Sequence, residues 1–164
     1  MAKINDLLDD VTTDQQAYYE EPDNSEIPEG TYQGTVVALS RKLNRVTKSG
    51  NVCDIFWIRY KISTDSPTAP GRLVRDAGLF RFRKGLREKN LFYKEALDRL
   101  EIPLEKKSID GKIRYILPAL SSDMVVGKNV IFNVYYDEWK DAKGHHKLPV
   151  AKIVKVLKEI DGNR

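Results

Sequence analysis

VCDIFWIRYKI, residues 52–62, alternates with a period of two. Val52, Asp54, Phe56, Ile58, Tyr60 and Ile62 fall on one face, and Cys53, Ile55, Trp57, Arg59 and Lys61 on the other. The first set carries a single charge and is the core face. The second ends in Trp-Arg-Lys, a surface that meets something outside the protein. β-Branched and aromatic residues dominate the run, as a half-buried strand requires.

Outward from this strand the texture stays β. TYQGTVVALS (31–40) reads as a strand in which Gly34 marks a bulge or a close backbone approach. A basic loop follows, RKLNRVTKSGN (41–51). On the other side the turn STDSPTAPG (63–71) leads to a third strand, RLVRDAGLFRF (72–82). Tyr93, Ala96, Leu97 and Leu100 then fall at helical spacing, with Asn90 placed to cap the helix and Pro103 to end it. Residues 104–126 carry no clear period and read as irregular. KNVIFNVYYDEW (128–139) and KLPVAKIVKVL (147–157) are a fourth and fifth strand joined by a turn at Asp141–Gly144. Three strands, a helix and two strands give a mainly β fold, a five-stranded OB-fold barrel with a helix between strands three and four. A β-sandwich is the alternative. The expected organisation is an acidic arm over 1–29, the OB domain over 30–158 and a short tail over 159–164.

Composition bounds the function. Hydrophobic content of 41% with 32% charged residues is the balance of a soluble globular protein. No apolar run approaches a membrane span, and MAKINDLLDD lacks the order of a secretory signal. The expectation is a cytoplasmic protein without membrane partners. The one cysteine, Cys53, excludes an internal disulfide and reads as a small core residue. The net charge of +4 hides a division, because residues 1–29 hold nine acids against one lysine and leave the remainder strongly basic. A basic body with an acidic arm points to a polyanionic partner.

Catalytic constellations are missing from the pattern. His145 and His146 are adjacent, so on a strand they point to opposite faces, and no Cys or carboxylate stands at ligand spacing. Asp54 and Asp76 have no second acid fixed beside them, and no GxxxxGK(S/T) loop is present. The expectation is a non-enzyme with no cofactor and no metal. Binding chemistry fits better, since single-stranded nucleic acid is held by cations on its phosphates and aromatic rings under its bases. Three regions supply both. They are Trp57 with Arg59 and Lys61; the third strand, where Arg72, Arg75, Arg81, Arg83 and Lys84 interleave with Phe80 and Phe82; and the hairpin tip with Tyr135, Trp139, Lys140, Lys143, His145, His146 and Lys147. In the third strand, arginines outside with aromatics inside is an equal alternative to direct stacking. OB barrels take ligands on strands two and three, between the loops that join strands one to two and four to five. Both loops here are basic. Stacking is therefore assigned to Trp57 and Trp139, with Tyr135 or Phe80. Phosphate contacts fall to Arg59, Lys61, Arg72, Arg75, Lys140, Lys143 and Lys147, with Arg41, Lys42, Arg45 and Lys48 closing over the strand.

The stretches IPEGTYQGTV, TKSGNVCDIFWIRYKI and GKNVIFNVYYDEWKDAKGHHKLPVAKI also resemble OB-fold single-stranded DNA-binding proteins of phage replication and recombination modules. The shared features are a P-x-G-x-Y strand entry, a K-S-G loop before the second strand and a late strand ending in E-W before a glycine turn. The resemblance spans most of residues 27–156 and implies sequence-tolerant coating of single-stranded DNA without cofactor or catalysis. It implies nothing about individual contacts. An alternative is an interaction module that recruits a replication or host factor. Many such proteins end in an acidic tail that recruits partners, whereas this chain ends EIDGNR and carries its acids at the other end. Ile4, Leu7, Leu8 and Val11 form one helical stripe there, a candidate docking segment for a replication or recombination protein or for the basic groove itself.

Overall fold

The computed structural model describes residues 16–21, 23–84 and 88–158. The stripe Ile4, Leu7, Leu8 and Val11 and the tail 159–164 lie outside them. Among the described residues, eight strands and two helices follow in chain order. They are β1 (Gly30–Val46), β2 (Val52–Ile62), β3 (Leu73–Asp76), β4 (Leu79–Phe82), α1 (Leu91–Arg99), β5 (Glu105–Ile109), β6 (Lys112–Ile116), α2 (Ser122–Val125), β7 (Asn129–Asp141) and β8 (Gly144–Val156).

Five of the strands close on themselves. β1 pairs with β2 and β7, β2 with β3, β7 with β8, and a short parallel contact of β3 with β8 completes the ring. This is the expected OB barrel, whose strands one to five are β1, β2, β3, β7 and β8. Its core is the expected face of β2: Phe56, Ile58, Tyr60 and Ile62 are fully buried against Val36, Val130 and Phe132. Gly34 is a close approach, since a Cβ there would stand 2.1 Å from the Lys61 carbonyl oxygen. α1 lies between barrel strands three and four and inserts Tyr93, Leu97 and Leu100 into the core. It ends where Glu101 turns left-handed (φ 58°), two residues before Pro103.

Four local readings change. The segment Arg41–Asn51 is mostly strand: β1 runs to Val46, paired with Val52, and only Thr47–Asn51 turn. RLVRDAGLFRF is two strands, β3 against the far half of β2 and β4 against the near half. Between them one extra residue is accommodated at Ala77-Gly78, where Gly78 has φ 107°. Asn90 makes no capping bond; its Oδ1 accepts the Phe82 N–H at 2.8 Å and its Nδ2 donates to the Phe82 carbonyl at 3.1 Å. Finally, residues 105–116 are a two-stranded hairpin, β5–β6, turning on Asp110 (φ 53°) and Gly111 (φ 76°). Two positive φ angles in a two-residue loop suit Asp-Gly.

Candidate nucleic-acid interface

Register determines which side chains share the outer face. Arg59 of β2 is opposite Arg75 of β3, Arg75 is opposite Val150 of β8, and Val150 is opposite Tyr135 of β7. Trp57 lies two residues from Arg59, and Trp139 four residues from Tyr135, so both belong to the same face. On β1 the bulge at Val37 brings Ala38, Ser40 and Lys42 opposite Arg59, Trp57 and Ile55. A second irregularity keeps Arg45 opposite Cys53. Lys42, Arg45, Trp57, Arg59, Lys61, Arg75, Tyr135 and Trp139 therefore lie on one continuous surface.

The β3–β4 bulge decides what else reaches it. Without an extra residue, Arg81 would share the face of Arg75. One residue of slip inverts the alternation, and Phe80 and Phe82 come opposite Ile55 and Cys53 on the Trp57 face. Phe80 is 44% exposed. Gly78 makes the juxtaposition possible, because a Cβ there would lie 3.2 Å from Trp57 Nε1 and 3.4 Å from the Phe80 ring. The Arg75 guanidinium carbon stands 5.8 Å from the Trp57 ring centroid. The result is two neighbouring aromatic rings with cations beside them.

Arg81 and Arg83, read as part of one arginine ridge, turn instead to Asp54. Arg81 Nη1 reaches Asp54 Oδ2 at 2.7 Å, and Arg83 binds both carboxylate oxygens at 2.9 Å. The Asn44 N–H adds a third partner at 2.9 Å. Burial of this fully covered carboxylate pushes its pKa up, but hydrogen bonds from Arg83, Asn44 and Arg81 outweigh that and hold it at about 2. Asp54 thus ties β1 to β4 beneath the aromatic platform. Asp76, accepting the Gly78 N–H at 3.0 Å, has no such guanidinium clamp, and burial pushes its pKa up to about 7.

The β7–β8 hairpin has two different sides. Trp139, 44% exposed, stacks on its cross-strand partner His146 with centroids 5.2 Å apart, and His146 Nε2 lies 2.9 Å from Asp141. Lys140 and Lys147 belong to the opposite side. There Lys147 lies 4.6 Å over the Tyr136 ring and 3.4 Å from Glu26. Arg72 is likewise engaged by the acidic segment, through Asp23 at 3.3 Å and the Ser25 carbonyl at 2.9 Å. Between them Ile27 is buried, and its carbonyl accepts the Tyr136 hydroxyl at 2.7 Å. Residues read as linker are therefore a strap. Arg41 points to the Leu120 carbonyl at 3.4 Å, while Lys48 and Lys143 sit in the two turns.

Three aromatic–cation pairs escape a reading by strand periodicity alone: Lys89 over Phe82 at 5.2 Å, and Lys94 (4.7 Å) and Lys106 (5.5 Å) over Tyr115 of β6. Among the described residues no three His, Cys, Asp or Glu side chains gather as a metal site, and no helix is long and apolar enough to cross a membrane. Comparison with family models and with curated proteins gives no match to the chain.

Proposed function

We propose that this protein binds single-stranded DNA with little sequence preference, in replication or recombination, along the outer face of β2, β3, β4 and the β7–β8 hairpin. The observation that carries the reading is the cluster of Trp57 and Phe80 with Arg59 and Arg75. Two arginines placed directly opposite each other repel, and the two rings beside them, Trp57 half-buried and Phe80 44% exposed, keep part of their apolar area in water. A phosphate between the guanidiniums and a base on each ring satisfies both at once. Stacking contributes about 1–3 kcal/mol per base and tolerates any base. Cation–phosphate contacts add affinity that falls steeply with salt.

The two extended hairpins flank this face as rails, with Lys42 and Arg45 on one and Trp139 on the other. Binding, not chemistry, is the proposed activity. Titration of tryptophan fluorescence with oligo-dT tests it: quenching that reverses on adding salt supports the reading. Unchanged fluorescence together with no retardation of labelled single strands at low salt sinks it. A matched series with RNA and duplex DNA assigns the preferred nucleic acid.

A further inference from the structure

We infer that the β5–β6 hairpin is a second contact arm for the same single strand, receiving it where it leaves the Trp57–Phe80 platform. The inference rests on the proposed binding function and extends its footprint beyond the barrel.

Among the described residues the hairpin pairs with no strand of the six-stranded sheet, and Lys94 of α1 reaches its Tyr115 ring at 4.7 Å. It forms a two-stranded sheet of its own, and every residue of β5 is exposed. Ile113, at 72% exposed, and Tyr115 both reach solvent. Isolated two-stranded hairpins are marginal in water. Its two faces differ. Lys106, Ser108, Ile113 and Tyr115 share one; Lys107, Ile109, Lys112 and Arg114 share the other, with Lys107 directly opposite Arg114. This repeats the like-charge pairing of Arg59 with Arg75, and an acidic polymer relieves it in the same way.

Position makes the arm continuous with the platform. β4 is the last strand of the six-stranded sheet on its side, so a polymer crossing Trp57 and Phe80 leaves over that edge. The chain just past the hairpin is fixed at that edge: Arg81 Nε donates to the Leu117 carbonyl at 2.7 Å, and the Tyr93 hydroxyl to the Pro118 carbonyl at 2.6 Å. A trail of rings with neighbouring cations marks the route, from Arg75–Trp57 through Lys89–Phe82 to Tyr115 between Lys94 and Lys106. Four bases on the hairpin, Lys106, Lys107, Lys112 and Arg114, outnumber its acids, Glu105 and Asp110. Phosphate is the chemistry they fit.

The test compares the full chain with Lys107→Glu/Arg114→Glu and with Tyr115→Ala, using oligo-dT of increasing length across a salt series. Each cation that holds a phosphate steepens the dependence of log affinity on log salt by roughly 0.7 for single strands. The double variant is expected to flatten that slope by more than one on long oligonucleotides and to leave the shortest bound ones unaffected. Tyr115→Ala is expected to weaken long-strand binding about 5- to 100-fold. Unchanged thermal melting of both variants shows that the barrel is intact. Long-strand affinity and slope equal to those of the unaltered chain overturn the inference alone and leave the hairpin to a protein partner. An unaltered chain that ignores every oligonucleotide overturns the binding function as well.

Discussion

Arg59 and Arg75 stand directly opposite each other across the β2–β3 ladder. Like charges so placed are destabilising, and among the described residues Arg75 has a compensating ring, Trp57, while Arg59 has none. Arg59 is exposed and is expected to contribute to ligand binding at no benefit to the fold. Arg59→Gln should leave the melting temperature unchanged or raised. It should lower affinity for single strands and flatten the salt slope by roughly 0.7. A thermal scan paired with a salt-series titration measures both, and a melt lowered by several degrees contradicts the repulsion.

Trp139, 44% exposed on the β7–β8 hairpin, has His146 stacked on it among the described residues. Its removal leaves no cavity in the core. Trp139→Ala should weaken single-strand binding by about 1–3 kcal/mol and shift the urea midpoint little. A protein that melts on this change has Trp139 as a packing residue. Trp57, half-buried on the barrel wall, should show losses in both binding and stability when replaced by Ala.

Gly78 serves the platform through its missing side chain. Its φ of 107° and the 3.2 Å clearance to Trp57 Nε1 both exclude a Cβ without displacement. Gly78→Ala should cost about 1–3 kcal/mol from backbone strain. It should also shift the tryptophan emission maximum as the indole moves. An unchanged spectrum with full stability would mean that the bulge tolerates a side chain.

The barrel was legible because its strands are half-buried: the alternation in β2 and the helical stripe of α1 are direct records of which atoms avoid water. The site was legible only in part. Arg75, Arg81 and Arg83 are the same residue type on one apparent strand, yet the extra residue at Ala77-Gly78 sends the last two to Asp54 and brings Phe80 outward. A bulge of one residue leaves no trace in composition beyond the glycine itself. The hairpin β5–β6 was missed because all of β5 is exposed, so hydrophobic alternation has nothing to report. Asp110-Gly111 was the usable signal. The strap formed by Asp23, Glu26 and Ile27 was hidden by its linker-like composition, since its bonds to Arg72, Lys147 and Tyr136 are all long-range.

Asp54 is the buried charge on which this geometry depends. Its pKa, about 2, lies below that of an unfolded aspartate, so its stabilisation is full above about pH 4 and is lost as pH falls toward 2. Asp54→Ala leaves Arg81, Arg83 and the Asn44 N–H without their acceptor. The variant should lose about 3 kcal/mol, measured as a shift of the urea midpoint at pH 7. Its acid unfolding should also start from a lower plateau with a shallower fall below pH 4. A stability equal to that of the unaltered chain would show that the clamp is dispensable.

Asp76 has the opposite sign. Burial raises its pKa from 3.8 to about 7, so the folded chain holds this proton more tightly than the unfolded one. Folding stability then falls as pH rises from about 4 to 7, and the full cost remains at higher pH. Each tenfold change in proton affinity corresponds to about 1.4 kcal/mol, which puts the cost of the ionised group on the order of 2–4 kcal/mol at pH 8. Asp76→Asn mimics the protonated carboxyl and keeps an acceptor for the Gly78 N–H. The variant should be more stable than the unaltered chain at pH 8 and close to it at pH 4. Denaturation at the two pH values decides the matter, since a variant weaker at pH 8 would mean that the carboxylate, through its backbone hydrogen bonds to Gly78 and Ile58, holds the bulge better when charged.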